Sequence, residues 1–216
     1  MLEKVQEDRL KKLQAIRELG IDPYGGRYDT AEPAAAIVAR YRDVAEGQAN
    51  DQRADAAGRI VLFRDMGKMI FAHLRDSGGQ IQIALRKNAL DEKSWQLAKL
   101  LDLGDVVAAA GPLQKTRTGE VTIWAETLTL LCKSLNPMPE KWHGLTDTET
   151  RYRQRYLDLM TNPEAMATFR KRVAILETFR ALLKARGFSE VETPTLQAIY
   201  GGAAARPFTT HHNALD

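Results

Sequence analysis

The stretch that most limits the folds open to this chain is the segment 69–85, MIFAHLRDSGGQIQIAL. Ile70, Ala72 and Leu74 alternate with Phe71 and His73, and Ile81, Ile83 and Leu85 alternate with Gln80, Gln82 and Ala84, so both arms have the period of two that marks a half-buried strand. Between them lies the turn sequence Asp76, Ser77, Gly78 and Gly79. The two apolar sets share one face only if paired residue numbers add to an odd value, and an even loop centred on Ser77 and Gly78 makes that value 155. Leu74 is then expected opposite Ile81, Ala72 opposite Ile83 and Ile70 opposite Leu85. His73 faces Gln82 and Phe71 faces Ala84 on the other side, which puts a phenylalanine on the outward face. Either a neighbouring element covers it or a ligand contacts it.

The flanking sequence supplies more strands. Residues 58–64 read as one before the hairpin; a short helix is expected over 94–101, then strands over 105–113 and 120–131 around a turn at Thr118 and Gly119. Five strands with a helix between the third and fourth is the order of an OB-fold, a small Greek-key β-barrel, although an open sheet against a helix has the same count. In the barrel reading Ile70, Ala72, Leu74, Ile81, Ile83, Leu85, Val121 and Ile123 form the core. The outward faces of the second and third strands are where such barrels bind oligonucleotides. Phe71 would stack a base, Gln82 offers both a donor and an acceptor, and Arg64, Glu120 and His73 lie within the same region as candidate contacts.

Before the strands, Leu10, Leu13, Ile16 and Leu19 predict a helix over 3–19 ended by Gly20 and Pro23. A second helix is expected after Thr30 as its cap, with Pro33 in the first turn and Ile37, Val38 and Tyr41 as its apolar side. Residues 43–57 lack periodicity and read as a linker. After the strands, Asn136, Pro137, Met138 and Pro139 form a stiff hinge. Thr146 and Glu149 have capping-box spacing ahead of a helix over 148–160, in which Arg151, Arg153 and Arg155 alternate with Tyr152 and Tyr156. That pattern serves RNA binding or ion-paired packing. A long helix over 164–186 follows Asn162 and Pro163, Gly187 ends it, and residues 188–196 read as a strand whose Pro194 requires an edge, a bulge or a subunit boundary. The expected divisions are helices and linker over 1–57, the OB-fold over 58–135, the hinge over 136–145 and a further domain over 146–216, an α+β chain.

The net charge of +3 becomes informative by region: residues 1–57 hold 9 Lys or Arg against 11 acids, residues 58–135 hold 11 against 8, and the rest 11 against 9. The mild positive excess in and after the hairpin region fits a polyanionic partner or an ordinary solvated face. Cys132 is the only cysteine, which excludes an internal disulfide and a thiolate metal cluster and fits a reducing, cytoplasmic setting. No window approaches the 18 or so apolar residues of a membrane span. His211 and His212 are adjacent, so their side chains diverge, and no metal site is expected.

The long helix followed by Arg186, Gly187 and Phe188, then Val191 to Leu196 as VETPTL, resembles motif 1 of class II aminoacyl-tRNA synthetases. The segments GGAAARPFTTHHNALD, HGLTDTETRYRQRYLDLM and MGKMIFAHLRD together resemble the lysyl-tRNA synthetases, and the resemblance runs through nearly the whole chain apart from residues 43–57. It implies that Arg64, Phe71, His73, Gln82 and Glu120 serve the anticodon-binding face, with Phe71 stacking on a uridine. It further implies that Arg186, Gly187, Phe188 and Pro194 belong to a homodimer element, and that Gly201, Gly202, Ala203 and Arg206 lie near an amino-acid site. The family's reaction joins lysine to tRNA: the lysine carboxylate attacks the α-phosphorus of ATP with Mg2+ present, giving the adenylate and releasing pyrophosphate, and the tRNA 3′-hydroxyl then takes the aminoacyl group and releases AMP. Motifs 2 and 3, which carry the catalytic arginines and metal-binding acids, lie beyond these residues. The chain is therefore expected to bind tRNA while being inactive alone, with no catalytic residue in it. An aspartate or asparagine enzyme, a lipid-lysylating relative and a free-standing tRNA-binding module are the competing readings.

Overall fold

The computed structural model describes residues 2–42, 52–139, 145–194, 208 and 210–214. They form two compact units, 1–143 and 144–216. The first contains α1 (Leu2–Glu18), α2 (Ala34–Tyr41), β1 (Arg53–Asp65), β2 (Met69–Arg75), β3 (Gln80–Arg86), α3 (Glu92–Leu100), β4 (Val106–Lys115), β5 (Val121–Ala125) and β6 (Thr127–Cys132).

The hairpin pairs as its pattern requires: Leu74 with Ile81, Ala72 with Ile83, Ile70 with Leu85, Phe71 with Ala84 and His73 with Gln82. All eight expected core residues are buried, from Ile70 and Ile123 at 0% exposure to Val121 at 9%. The sheet closes on itself. β2 pairs with β1 and β3, β3 runs parallel to β5, β5 pairs with β4, and β4 returns to β1. A five-strand ring with a helix between its third and fourth strands is the OB-fold, in place of the open sheet.

Closure explains where the strands differ from expectation. β1 starts at Arg53, inside the stretch read as linker, because Arg53 to Arg59 pair with β4 from Pro112 to Val106 while Arg59 onward pairs with β2. The small residues Ala54, Ala56 and Ala57 hid this: they fit the tight ring but give little hydrophobic signal. Gly58 sits where β1 passes from one partner to the other, and a Cβ there would lie 2.8 Å from the Arg75 carbonyl oxygen. The strand expected over 120–131 is divided at Glu126. Its pairing with β4 slips by one residue there, from Leu113 opposite Ile123 to Ala110 opposite Thr127, as in a β-bulge. Gly111 faces this bulge, where a Cβ would meet the Trp124 carbonyl oxygen at 2.1 Å. The remaining part of the expected linker, 43–51, lies outside the described residues.

The helices are tied on by polar contacts. Ile37 and Tyr41 of α2 are buried, and the Tyr41 hydroxyl donates to the Leu113 carbonyl at 2.9 Å. Thr30 is not the cap of α2. Its hydroxyl donates to Asp55, and Asp76 from the hairpin turn accepts the Ala34 N–H at 2.7 Å, so the hairpin caps the helix across 42 residues of sequence. On α1, Leu10 is half exposed, whereas Arg9 is buried and donates to the carbonyls of Ser134, Asn136 and Leu103. Beside it the Lys133 ammonium, with a fully buried side chain, lies 2.6 Å from Asp102 and 2.8 Å from Asp105, and Lys12 also reaches Asp102. Every member of this cluster has a hydrogen-bond partner, as burial of charge demands. α3, capped by Asp91, buries Trp95, Leu97 and Ala98.

The second unit holds α4 (Thr148–Arg153), α5 (Arg155–Thr161) and α6 (Pro163–Ala185). The single helix expected over 148–160 is interrupted at Gln154, and its cap is Asp147, which accepts the Thr150 N–H at 2.7 Å, in place of Thr146. Arg151 and Arg155 both donate to the buried Asp158, at 2.9 and 2.7 Å. Burial would push the Asp158 carboxyl up, but these two arginines outweigh it and hold it below the usual range. This is ion-paired packing for Arg151 and Arg155, the second of the two readings of the basic and aromatic pattern. The strand expected at 188–196 does not form among the described residues 188–194, since a strand needs a paired neighbour and none is present there.

Candidate nucleic-acid interface

The ring's outward side is built by alternation. Because Ile70, Ala72 and Leu74 point in, Phe71 and His73 point out; the same parity on β3 and β5 turns Gln82, Ala84, Arg86, Thr122 and Trp124 to the outer side of the ring, where Gln82, Ala84 and Thr122 are nonetheless buried by their neighbours. Strand pairing then lines them up in two rows. One runs Arg64, Phe71, Ala84 and Trp124 across β1, β2, β3 and β5; the other runs Leu62, His73, Gln82 and Thr122.

The second row carries a polar network. Glu120, just before β5, receives His73 Nε2 on one carboxylate oxygen at 2.5 Å and Gln82 Nε2 on the other at 2.8 Å. The fully buried Thr122 hydroxyl donates to Gln82 Oε1 at 2.7 Å, which fixes the amide so that its nitrogen faces Glu120. His73, Gln82 and Thr122, from three strands, thereby hold the Glu120 carboxylate in place. Gln82 is only 8% exposed and both ends of its amide are engaged within the protein, so its direct effect is to aim Glu120. His73 Nδ1 is buried and has no partner.

In the first row Phe71 is half-buried, and its ring meets Trp124 edge-on, with centroids 6.3 Å apart and planes at 77°. The guanidinium of Arg86 lies 4.7 Å from the centre of the Trp124 ring. Arg64 is exposed beside Phe71. Thus Arg64, Phe71, His73, Gln82 and Glu120, chosen from sequence, come together on one face. Thr122, Trp124 and Arg86 were missed. Alternation along VTIWA places Thr122 and Trp124 outward, but only the parallel β3–β5 pairing puts them beside the hairpin.

The other sequence-derived residues lie in the second unit. Arg186 and Gly187 close α6, Gly187 with φ of 84°, followed by the exposed Phe188, and Pro194 is exposed and outside any helix or strand. Gly201, Gly202, Ala203 and Arg206 lie outside the described residues. Among the described residues no group of three His, Cys, Asp or Glu side chains is placed to hold a metal, and no helix is long and apolar enough to cross a membrane.

A family model described as an OB-fold nucleic acid binding domain matches residues 56–131. A second, described as tRNA synthetases class II (D, K and N), matches residues 147–216. The chain is 48% identical over 208 residues to a lysine--tRNA ligase of Carboxydothermus hydrogenoformans, covering 96% of this chain and 42% of that protein. It is 47% identical over 215 residues to one from Pelotomaculum thermopropionicum and 48% over 210 residues to one from Enterococcus faecalis, again over 42% of each relative. The chain thus spans about two-fifths of the length of the relatives it matches. Residues 147–216 thus match the class II tRNA synthetases, residues 56–131 match an OB-fold nucleic acid binding domain, and identity near one half to part of the lysine--tRNA ligases runs through both and the segment between.

Proposed function

We propose that this chain supplies the anticodon-reading part, and the entry to the catalytic part, of an enzyme that joins lysine to its tRNA. The observation that carries this reading is a half-buried aromatic ring beside a carboxylate whose two oxygens are aimed by separate donors. A base splayed out of a single-stranded loop stacks on the Phe71 ring. An ionised carboxylate only accepts hydrogen bonds, so Glu120 suits a base that sets a ring N–H against it. Uracil has one at N3, whereas cytosine presents a lone pair at that position, its donor being the exocyclic N4 amine, and so sets two acceptors face to face when seated as uracil is. Arg64, exposed on the same row, supplies a cation for a phosphate or a base carbonyl. Residues 58–135 with the preceding strand segment form this reading domain, the helices within 2–42 brace it, residues 1–57 otherwise precede it, and 136–145 lead to the class II domain of 146–216.

In the whole protein, Arg186, Gly187, Phe188 and Pro194 would serve a homodimer contact, and Gly201, Gly202, Ala203 and Arg206 would border the lysine site. ATP and Mg2+ would be the cofactors of that whole protein. A cytoplasmic location follows from the partner, tRNA, and from a free cysteine as the only one.

The test is equilibrium binding of the chain to a lysine-tRNA transcript and to the same transcript with cytidine at the central anticodon position. Loss of one paired hydrogen bond to a charged group predicts weaker binding by about 1.5 to 3 kcal/mol, roughly tenfold or more. Equal affinity for the two transcripts overturns the reading.

A further inference from the structure

We infer that Arg86 and Trp124 form a phosphodiester-binding subsite next to Phe71, taking the backbone of the nucleotide that flanks the stacked base. The inference rests on the RNA-binding reading of this face.

Two donor atoms carry it. Arg86 Nε and Trp124 Nε1 are buried and have no hydrogen-bond partner, although both groups are donors only. Buried donors without acceptors are uncommon and each is costly, so two side by side on an outward face point to an acceptor supplied from outside. The guanidinium lies on the indole 4.7 Å from its centre, which holds its planar fork in place, and it makes no hydrogen bond or ion pair to any described residue. Oxygen atoms bearing negative charge are the acceptors such a fork suits, and a phosphodiester offers two.

Position adds a second argument. Ala84 is the smallest side chain in the first row and separates Phe71 from Trp124, while the T-shaped contact turns the indole nearly perpendicular to the phenyl ring. A base lying flat on Phe71 therefore does not continue as a parallel stack onto Trp124. The chain must turn, and its sugar-phosphate backbone passes over Ala84 toward Arg86. The nearby acid, Glu126, leaves Arg86 available. Its carboxylate pairs with Arg53 at 2.5 Å, and that hydrogen bond is the main reason it sits below the usual carboxylate range, with the field of Arg86 contributing less.

The chain and an Arg86→Met variant, which keeps the apolar contact with the indole, are titrated with an RNA stem-loop bearing a uridine-rich loop. Losing one charge-assisted contact predicts about tenfold weaker binding, and the slope of log affinity against log salt becomes shallower by about 0.7 for one single-strand phosphate. Single neutral methylphosphonate linkages are then placed through the loop. One position is expected to weaken binding to the unmodified chain and to leave Arg86→Met unaffected. An unchanged salt slope, or no position at which the linkage and the substitution couple, overturns the subsite. Absence of binding by the unmodified chain overturns the underlying RNA-binding reading instead. Urea unfolding of both proteins separates these results from a loss of folding.

Discussion

Replacing Phe71 separates recognition from packing, because the ring does both. It is half-buried, it meets Trp124 edge-on at 6.3 Å, and its cross-strand partner Ala84 is too small to fill the space it would leave. Stacking of a base on an aromatic ring contributes about 1 to 3 kcal/mol, so Phe71→Leu, which keeps apolar bulk without a π face, weakens RNA binding by roughly five- to 150-fold. The folding cost of the same change is smaller: the aromatic edge contact accounts for about 0.5 to 1.5 kcal/mol. Phe71→Ala adds lost burial. A fully buried Phe→Ala change costs about 3 to 5 kcal/mol, and a half-buried ring on a solvent face roughly half of that. A domain stable by about 5 to 15 kcal/mol survives both changes. The measurements are fluorescence anisotropy with a labelled uridine-rich stem-loop, over a range of salt, and urea unfolding of each variant. No charge is altered, so the salt slope stays that of the parent while the affinity drops. If Phe71→Leu binds within about twofold of the parent, or if affinity falls only in proportion to the unfolded fraction, the ring is structural and the stacking argument fails.

Thr122→Val keeps shape but removes the hydroxyl that fixes the Gln82 amide, leaving Gln82 Oε1 without its donor. It is expected to destabilise the fold by about 1 to 3 kcal/mol in urea and to reduce uridine-over-cytidine discrimination more than overall affinity; unchanged discrimination would show that Glu120 holds its aim without Gln82. The acid limb of stability has a defined source in Asp102. Burial tends to raise its pKa, but hydrogen bonds and charges from Lys12 and Lys133 prevail and lower it. Its stabilising contribution is therefore complete above the ordinary carboxylate value of about 3.9 and disappears as pH falls through the lower folded-state value. Urea midpoints measured from neutral pH down to about pH 2 should fall on that limb, and less steeply in Asp102→Asn; identical limbs would remove Asp102 as the cause.

Much of the face could be read before any coordinates. Period-two alternation on both arms and an even loop leave one register that puts both alternating apolar sets on one face, and that register places Phe71 and His73 outward beside Gln82. Gly187 and Asn162 likewise mark the ends of α6 by local chemistry alone, the first by its positive φ and the second by its side-chain cap. Other elements resisted for identifiable reasons. Asp76 as the cap of α2 was hidden because the helix and the turn are 42 residues apart, and Thr30 offered a plausible local cap. The first part of β1 was hidden because alanines at ring closure carry almost no pattern. Nothing local marks Arg9 as buried, because its burial depends on three carbonyls supplied by Leu103, Ser134 and Asn136, more than 90 residues away.

The sequence by itself determined the hairpin, its register and which side of it meets solvent, because those depend on neighbours within 17 residues and on the two-residue repeat of a strand. Only the tertiary structure decided what stands beside that face. The parallel pairing of β3 with β5 brings Thr122 against Gln82 and Trp124 against Ala84 across 40 residues of chain, and ring closure between β1 and β4 fixes that pairing. Contacts of that range leave no local periodicity. They come from hydrogen bonding between strands and from the need to bury one common core, so the network aiming Glu120 and the Arg86–Trp124 pair exist only once the ring has closed.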